Sequence, residues 1–134
     1  MDLDGFKPVN DQHGQDVGDE LLVAVARRLQ GHLRQSDVIA RLGGDEFVVM
    51  TGELQSTTQA HEMGLKLLEA FSSPFALGGI QVQVGLTIGY AIAPIDSQDG
   101  AGLIKLADAA MYSGKQSGKF CVRRNTGDLA LSSA

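Results

Sequence analysis

The sequence predicts one mixed α/β domain, a sheet flanked by helices with a β-hairpin carrying a glycine turn. Three observations carry that prediction. Apolar residues recur at helical spacing between Asp16 and Gln35. A strict apolar/polar alternation runs from Ile80 towards Ile92, the period of a strand. The stretch "ARLGGDEFVVM", residues 40–50, sets two glycines between two apolar arms, and glycine tolerates the positive φ that a tight hairpin turn demands.

The opening "MDLDGF" reads as the end of a strand with acids at positions 2 and 4. A strand that starts at its own end suggests that the chain is a fragment, or that it starts unusually late in its domain. "DGFKPVND" follows as a loop. Leu21, Val25, Leu29 and Leu33 lie four apart with Leu22 and Ala26 beside them, an amphipathic helix of about five turns from Asp16 to Gln35. Val38–Arg41 and Phe47–Thr51 are the hairpin arms, with Gly43-Gly44 as the turn. A second helix starts at Ser56-Thr57 and runs to Phe71, with Ala60, Met63, Leu67 and Phe71 on one face and Pro74 beyond its end. Gly78-Gly79 is a turn, and the strand from Ile80 to about Ile92 reads as half-buried. Leu103, Leu106, Ala107, Ala110 and Met111 mark a third helix ending near Gly118, and Phe120–Arg123 add a last strand. The domain is expected over 1–124, with a small polar, flexible tail over 125–134.

Composition bounds the function. A chain of 134 residues can bury one core. A formal net charge of −5 argues against nucleic acid as the main partner. No apolar run is long enough to span a bilayer, and Met1 leads into acids rather than a signal peptide, so the domain is expected to be cytoplasmic and to make no membrane contact. The lone Cys121 forms no internal disulfide or thiolate cluster and reads as a buried strand residue. His13, His32 and His61 lack metal spacing and are expected to face solvent.

Two adjacent carboxylates at a turn repel unless a cation sits between or beside them. With the order strand, helix, hairpin, the first strand and one hairpin arm should share a sheet, which can bring Asp2 near Asp45. Asp2 and Asp45, with the Leu3 carbonyl, would then form a hard oxygen site for Mg²⁺. The other reading is that Asp2, Asp4, Asp45 and Glu46 are turn acids in water. Gly5, the N–H groups of Phe6 and Lys7, and the Lys7 ammonium suit a polyphosphate. Asn10 and Asp19 supply an amide and an acid, the pair that reads a guanine edge. Each also has a plain role, in an Asx turn and in a helix's first turn. Lys115 and Lys119, four apart, would lie one above the other at a helix end, as phosphate clamps or as complements to the helix dipole.

Together, "DLDGFKPVND…GD", "RQSDVIARLGGDEF" and "ADAAMYSGKQSGK" resemble, in order and spacing, the diguanylate cyclases, the family of the GGDEF motif. The resemblance runs from Asp2 to about Val122. It implies a palm-like nucleotide-cyclase-type fold and the condensation of two GTP into cyclic di-GMP and two pyrophosphates across a homodimer. It implies Mg²⁺ or Mn²⁺ held by Asp2, Asp45 and the Leu3 carbonyl. Asp45 and Glu46 take the catalytic positions, Asp45 assisting deprotonation of the 3′-hydroxyl and Glu46 supporting the metal and the turn. Phe6, Lys7, Asn10, Asp19, Gly43, Gly44, Lys115 and Lys119 take the substrate-binding ones.

"RQSD" is similar to the family's inhibitory product site, five residues before the double glycine, with Arg34 and Asp37 as its members. The next helix offers Lys66 where a second arginine is usual. Lys119 stands in an arginine's place and Phe120 in an asparagine's, and lysine cannot reproduce a bidentate phosphate contact. The resemblance also implies an upstream sensor domain. The stretches at 75–94 and 107–112 are similar to members fused to a phosphodiesterase domain. A catalytically inactive module that binds GTP or cyclic di-GMP is the alternative reading.

Overall fold

The computed structural model describes residues 1–52, 54 and 56–124; the tail expected over 125–134 lies outside them. Among the described residues, seven strands and four helices follow one another: β1 Asp2–Asp4, α1 Phe6–His13, α2 Gln15–Gly31, β2 Val38–Gly43, β3 Glu46–Met50, α3 Thr57–Ala70, β4 Phe75–Leu77, β5 Ile80–Val82, β6 Gly85–Tyr90, α4 Gly100–Gln116 and β7 Val122–Arg124.

Five strands form the main sheet in the order β2-β3-β1-β6-β7. β1 is antiparallel to both β3 and β6, and β7 runs parallel to β6. The first strand therefore sits at the centre beside one hairpin arm, as the order of elements predicts. Strand alternation puts Leu3 on the opposite face from Asp2 and Asp4. Leu3 joins the core with Leu21, Val25, Leu29, Phe47 and Leu86.

Several expectations are corrected. The "DGFKPVND" loop is a helix, α1, entered through a left-handed Gly5 (φ +90). Gly14 (φ +94) separates α1 from α2, which starts at Gln15 and stops at Gly31 rather than Gln35. The "RQSD" stretch turns instead, because the Asp37 carboxylate accepts from the Arg34 backbone N–H at 2.8 Å. The strand expected over 80–92 is two strands. β5 folds back on β4 around Gly78-Gly79, and Gln83 leaves the ladder to donate to the Phe71 carbonyl at 2.8 Å. β6 lies between β1 and β7 and is buried on both faces at Gly85–Ile88, so its alternation does not mark a half-buried strand. β4 has only three residues, too few for a periodic signal.

Two close approaches set the layers. At Gly89 a Cβ would come 2.1 Å from the Ala107 carbonyl and 2.3 Å from the Met111 nitrogen, so glycine lets α4 lie directly on β6. Arg28 of α2 donates to the carbonyls of Ala70, Ser73 and Pro74 and stacks 3.5 Å from the Phe75 ring centroid, pinning the end of α3 to α2. Cys121 is half-buried just before β7 rather than within a strand. His61 does not face solvent freely: its Nδ1 lies 3.1 Å from the Tyr90 hydroxyl.

Candidate active site

The hairpin turn falls one residue later than the glycine pair suggests. Gly43 pairs with Glu46, which leaves Gly44 (φ +51) and Asp45 as the turn residues. Arg41 Nε donates to the Gly44 carbonyl at 2.8 Å and closes the turn from outside. The Leu3 N–H donates to the Asp45 carbonyl at 3.2 Å, and Asp2 is in register with Glu46. This backbone pairing brings the Asp2 and Asp45 carboxyls together.

Asp2 Oδ1 is buried and has no donor. Ionised, Asp45 cannot supply one. Burial first, then the hydrogen bond and charge of Asp45, push the Asp2 carboxyl up to about 6, against the opposing pull of Lys115. A buried, orphaned carboxylate oxygen beside a second carboxylate and the Leu3 carbonyl is a donor set that fits a hard divalent cation. Among the described residues no three His, Cys, Asp or Glu side chains converge as ligands, so the candidate donor set is two carboxylates and one carbonyl. Mg²⁺ ordinarily takes one or two carboxylates and leaves its other positions to water and phosphate.

Lys115 turns inward from the last turn of α4. Its ammonium donates to the Leu3 carbonyl at 3.0 Å and to Asp4 Oδ1 at 2.5 Å, and lies 3.7 Å from Asp2 Oδ2. Asp4 is 3% exposed and also accepts from the Thr87 hydroxyl and the Phe120 N–H. It is therefore a buried structural anion, not a turn acid in water. Lys119 does not stack above Lys115. The helix ends at Gln116, and Lys119 lies beyond it, exposed and left-handed (φ +67) like Phe120 (φ +48).

Asn10 and Asp19 come from adjoining helices. Asn10 sits within α1 rather than in an Asx turn, and Asp19 lies beyond the first turn of α2, whose first-turn acid is Asp16. The helices approach at the buried Gly18, where a Cβ would come 2.3 Å from Asn10 Oδ1 and 3.4 Å from Phe6 Cζ. Gly18 thus makes room for the Asn10 amide next to Asp19. Phe6 and Lys7 open α1, whose start has no side-chain cap, so their N–H groups are among those left for an anion.

Glu46 faces Asp108 of α4. A hydrogen bond between the two carboxyls, then burial and the Asp108 charge, push the Glu46 carboxyl up. Asp108, Thr87 and Gly18 were not singled out from the sequence. "ADAAMY" contains Asp108, but helical periodicity marks only its apolar neighbours, and Gly18 reads as one more glycine. Glu46 and Asp108 also line a cavity of about 550 Å³ between β3, β6, α3 and α4. That cavity is mainly apolar, and Asp2, Asp45, Lys115, Asn10 and Asp19 are not among its lining residues.

Arg34 and Asp37 meet at 3.4 Å, and both engage Thr51: Arg34 donates to its hydroxyl at 2.8 Å, and that hydroxyl donates to Asp37 at 2.6 Å. Arg34 also donates to the Gly52 carbonyl at 2.6 Å. Burial pushes the Asp37 carboxyl up, but the bonds from Thr51 and Arg34 outweigh it and hold it below its ordinary value. The pair is remote in sequence from Asp2 yet joined to the same hairpin through Thr51. Lys66 on α3 is exposed.

Residues 1–121 match the family described as Diguanylate cyclase, GGDEF domain. The bifunctional diguanylate cyclase/cyclic di-GMP phosphodiesterase MucR of Pseudomonas aeruginosa is 44% identical over 119 residues, 89% of this chain and 17% of that protein. The solved GGDEF domain of YfiN, or TpbB, from Pseudomonas aeruginosa matches with a TM-score of 0.89 at 39% identity, covering 92% of this chain and 78% of that one. The GGDEF domain of DgcB from Caulobacter crescentus, solved in complex with c-di-GMP, matches with a TM-score of 0.80 at 25% identity, covering 92% and 74%. The chain therefore spans less than a fifth of MucR. Among the described residues no helix is long and apolar enough to cross a membrane.

Proposed function

This chain belongs to the diguanylate cyclase GGDEF-domain family, and on that premise we propose that it condenses two GTP into cyclic di-GMP and two pyrophosphates across a homodimer. Each subunit presents one nucleotide, and each 3′-oxygen forms a bond to the α-phosphorus of the other's GTP while the bond to pyrophosphate breaks. The observation that carries the reading is the pairing of Asp2 with Asp45 around an orphaned buried oxygen.

Asp2, Asp45 and the Leu3 carbonyl would hold Mg²⁺ or Mn²⁺, which supplies charge neutralisation and Lewis acidity at the phosphates. The chain's own groups do the rest. Asp19 accepts from the guanine edge and the Asn10 amide meets it in the room that Gly18 leaves. The N–H groups of Phe6 and Lys7 and the Lys7 ammonium meet the phosphates, with Lys115 and Lys119 on the terminal ones. Gly43 and Gly44 let the hairpin approach the nucleotide closely. Asp45 receives the proton of the attacking hydroxyl and passes it to water, and Glu46 fixes the turn through Asp108. Arg34 and Asp37 take cyclic di-GMP as the inhibitory product. The catalytic domain, over 1–124, is cytoplasmic and follows a sensor domain in its parent protein.

The test incubates the purified chain with GTP and Mg²⁺ at several protein concentrations and resolves the nucleotides by mass-detected chromatography. Cyclic di-GMP rising more steeply than protein concentration supports the dimeric cyclase. Unchanged GTP overturns it for this chain. A regulatory module that binds GTP or cyclic di-GMP without turnover is favoured by one feature, the left-handed Lys119-Phe120 pair where the family usually has arginine and asparagine. Calorimetric titration with both nucleotides separates the two, because heat without product supports the module.

A further inference from the structure

Lys115 occupies a place the proposed chemistry needs for something else. Its ammonium bonds the Leu3 carbonyl at 3.0 Å, the very oxygen assigned to the divalent ion, and lies 3.7 Å from Asp2. A divalent ion about 2.1 Å from that carbonyl oxygen would share it with an ammonium carrying a like charge. Their like charges oppose joint occupancy. The site is built so that the lysine can leave. Asp4, its short-range partner, keeps the Thr87 hydroxyl and the Phe120 N–H as donors after Lys115 departs. Leu3 keeps its place through its own N–H to Asp45. Lys115 belongs to the last turn of α4 and carries a long flexible stem.

We propose that Lys115 is a displaceable internal cation, which competes with the divalent ion for the Leu3 carbonyl and the acids and transfers to the nucleotide phosphates when that ion enters. The inference rests on the reading of Asp2, Leu3 and Asp45 as the ion's ligands. Its consequence is coupling. Without nucleotide the entering ion must evict an ammonium from Leu3 and the acids, so it binds weakly. With nucleotide the evicted ammonium finds a phosphate, so each ligand strengthens the other, by the same factor in both directions.

The bland reading is that Lys115 is a fixed structural partner of Asp4 and stays in place whatever else binds. Titration of Mn²⁺, with free ion followed by electron paramagnetic resonance, separates the two without any turnover. It is done on wild type, Lys115→Met and Lys119→Met, each without nucleotide and with a non-hydrolysable GTP analogue. The expected result is that Lys115→Met binds Mn²⁺ at least about tenfold more tightly than wild type without nucleotide. Lys119→Met, which removes the same charge from an exposed position, should change it by less than about twofold. The analogue should strengthen Mn²⁺ binding to wild type far more than to Lys115→Met.

Should Asp4 without its lysine prevent folding, Asp4→Asn/Lys115→Met carries the same measurement with a neutral pair. Equal Mn²⁺ affinity in wild type and Lys115→Met, with Asp45→Asn abolishing it, overturns the displaceable lysine and leaves the ligand reading standing. Mn²⁺ binding that Asp45→Asn leaves intact, or none in wild type and Lys115→Met alike, overturns both.

Discussion

Replacing Asp45 by Asn should make the protein more stable and inactive at once. The Asp2 carboxyl is pushed from 3.8 up to about 6, first by burial and then by Asp45 through a shared hydrogen bond and like charge. A rise of about two units corresponds to about 3 kcal/mol of destabilisation at neutral pH. Burial accounts for the largest part and remains in the variant. Water also reaches Asp2, whose side chain is 24% exposed, and screens the pair. Asp45's share is then about 1 kcal/mol. An Asn amide removes the charge and offers the orphaned Asp2 Oδ1 a donor. Urea unfolding at pH 7.5 should therefore show Asp45→Asn more stable by about 1 kcal/mol, with turnover of GTP lost.

The pH dependence fixes the sign. An acid whose folded pKa is raised binds its proton more readily in the folded state, so its penalty is full above pH 6. The penalty disappears as pH falls through 6 towards 4. Wild type should lose less stability on acidification from pH 7.5 to 5 than the variant does. A variant that is equally or less stable at pH 7.5, with an unchanged pH slope, refutes the claim that Asp2 and Asp45 repel each other.

Gly18→Ala places a methyl 2.3 Å from Asn10 Oδ1; because a side-chain tip can yield, calorimetry should show GTP binding about tenfold weaker while the melting temperature moves by only a few degrees. Gly89→Ala meets backbone instead, at Ala107 and Met111, and should destabilise by about 3 kcal/mol or more in urea, since α4 must lift from β6. Arg34→Ala removes donors to Thr51, Gly52 and Asp37; product titration should show cyclic di-GMP inhibition lost, with the initial rate within about twofold of wild type.

The fold was legible where the physics is local. Helical period located α2, α3 and α4, and two glycines between apolar arms located the β2–β3 hairpin. α1 was hidden because Pro8 and the polar run around Asn10 read as loop, whereas proline at the third helical position gives up an N–H that has no partner in a first turn. β4 and the break at Gln83 were hidden because only pairing across Gly78-Gly79 reveals them. In the candidate site, acids and lysines could be named from spacing and resemblance, and their proximity followed from the order of elements. What spacing could not reveal was direction. Lys115 points into the acids rather than outward, Lys119 leaves the helix, and Glu46 turns to Asp108. The directions of Lys115 and Glu46 come from contacts across more than sixty residues of sequence, which no local pattern encodes.

The charges around the site argue for the order in which its ligands arrive. Asp2 and Asp4 face one inward lysine, which is already committed to Asp4 and the Leu3 carbonyl, while Asp45 lies against Asp2 and Glu46 against Asp108. A triphosphate approaching these acids alone meets like charge, and the exposed Lys7 and Lys119 lie outside the cluster of contacts that holds Lys115. Nucleotide without a divalent ion is therefore disfavoured by repulsion, and a divalent ion without nucleotide by the lysine that competes with it. The two together answer both objections, because the ion compensates the acids and the phosphates receive the lysine. On the proposed reading, such a site would admit the metal–nucleotide complex in preference to either component.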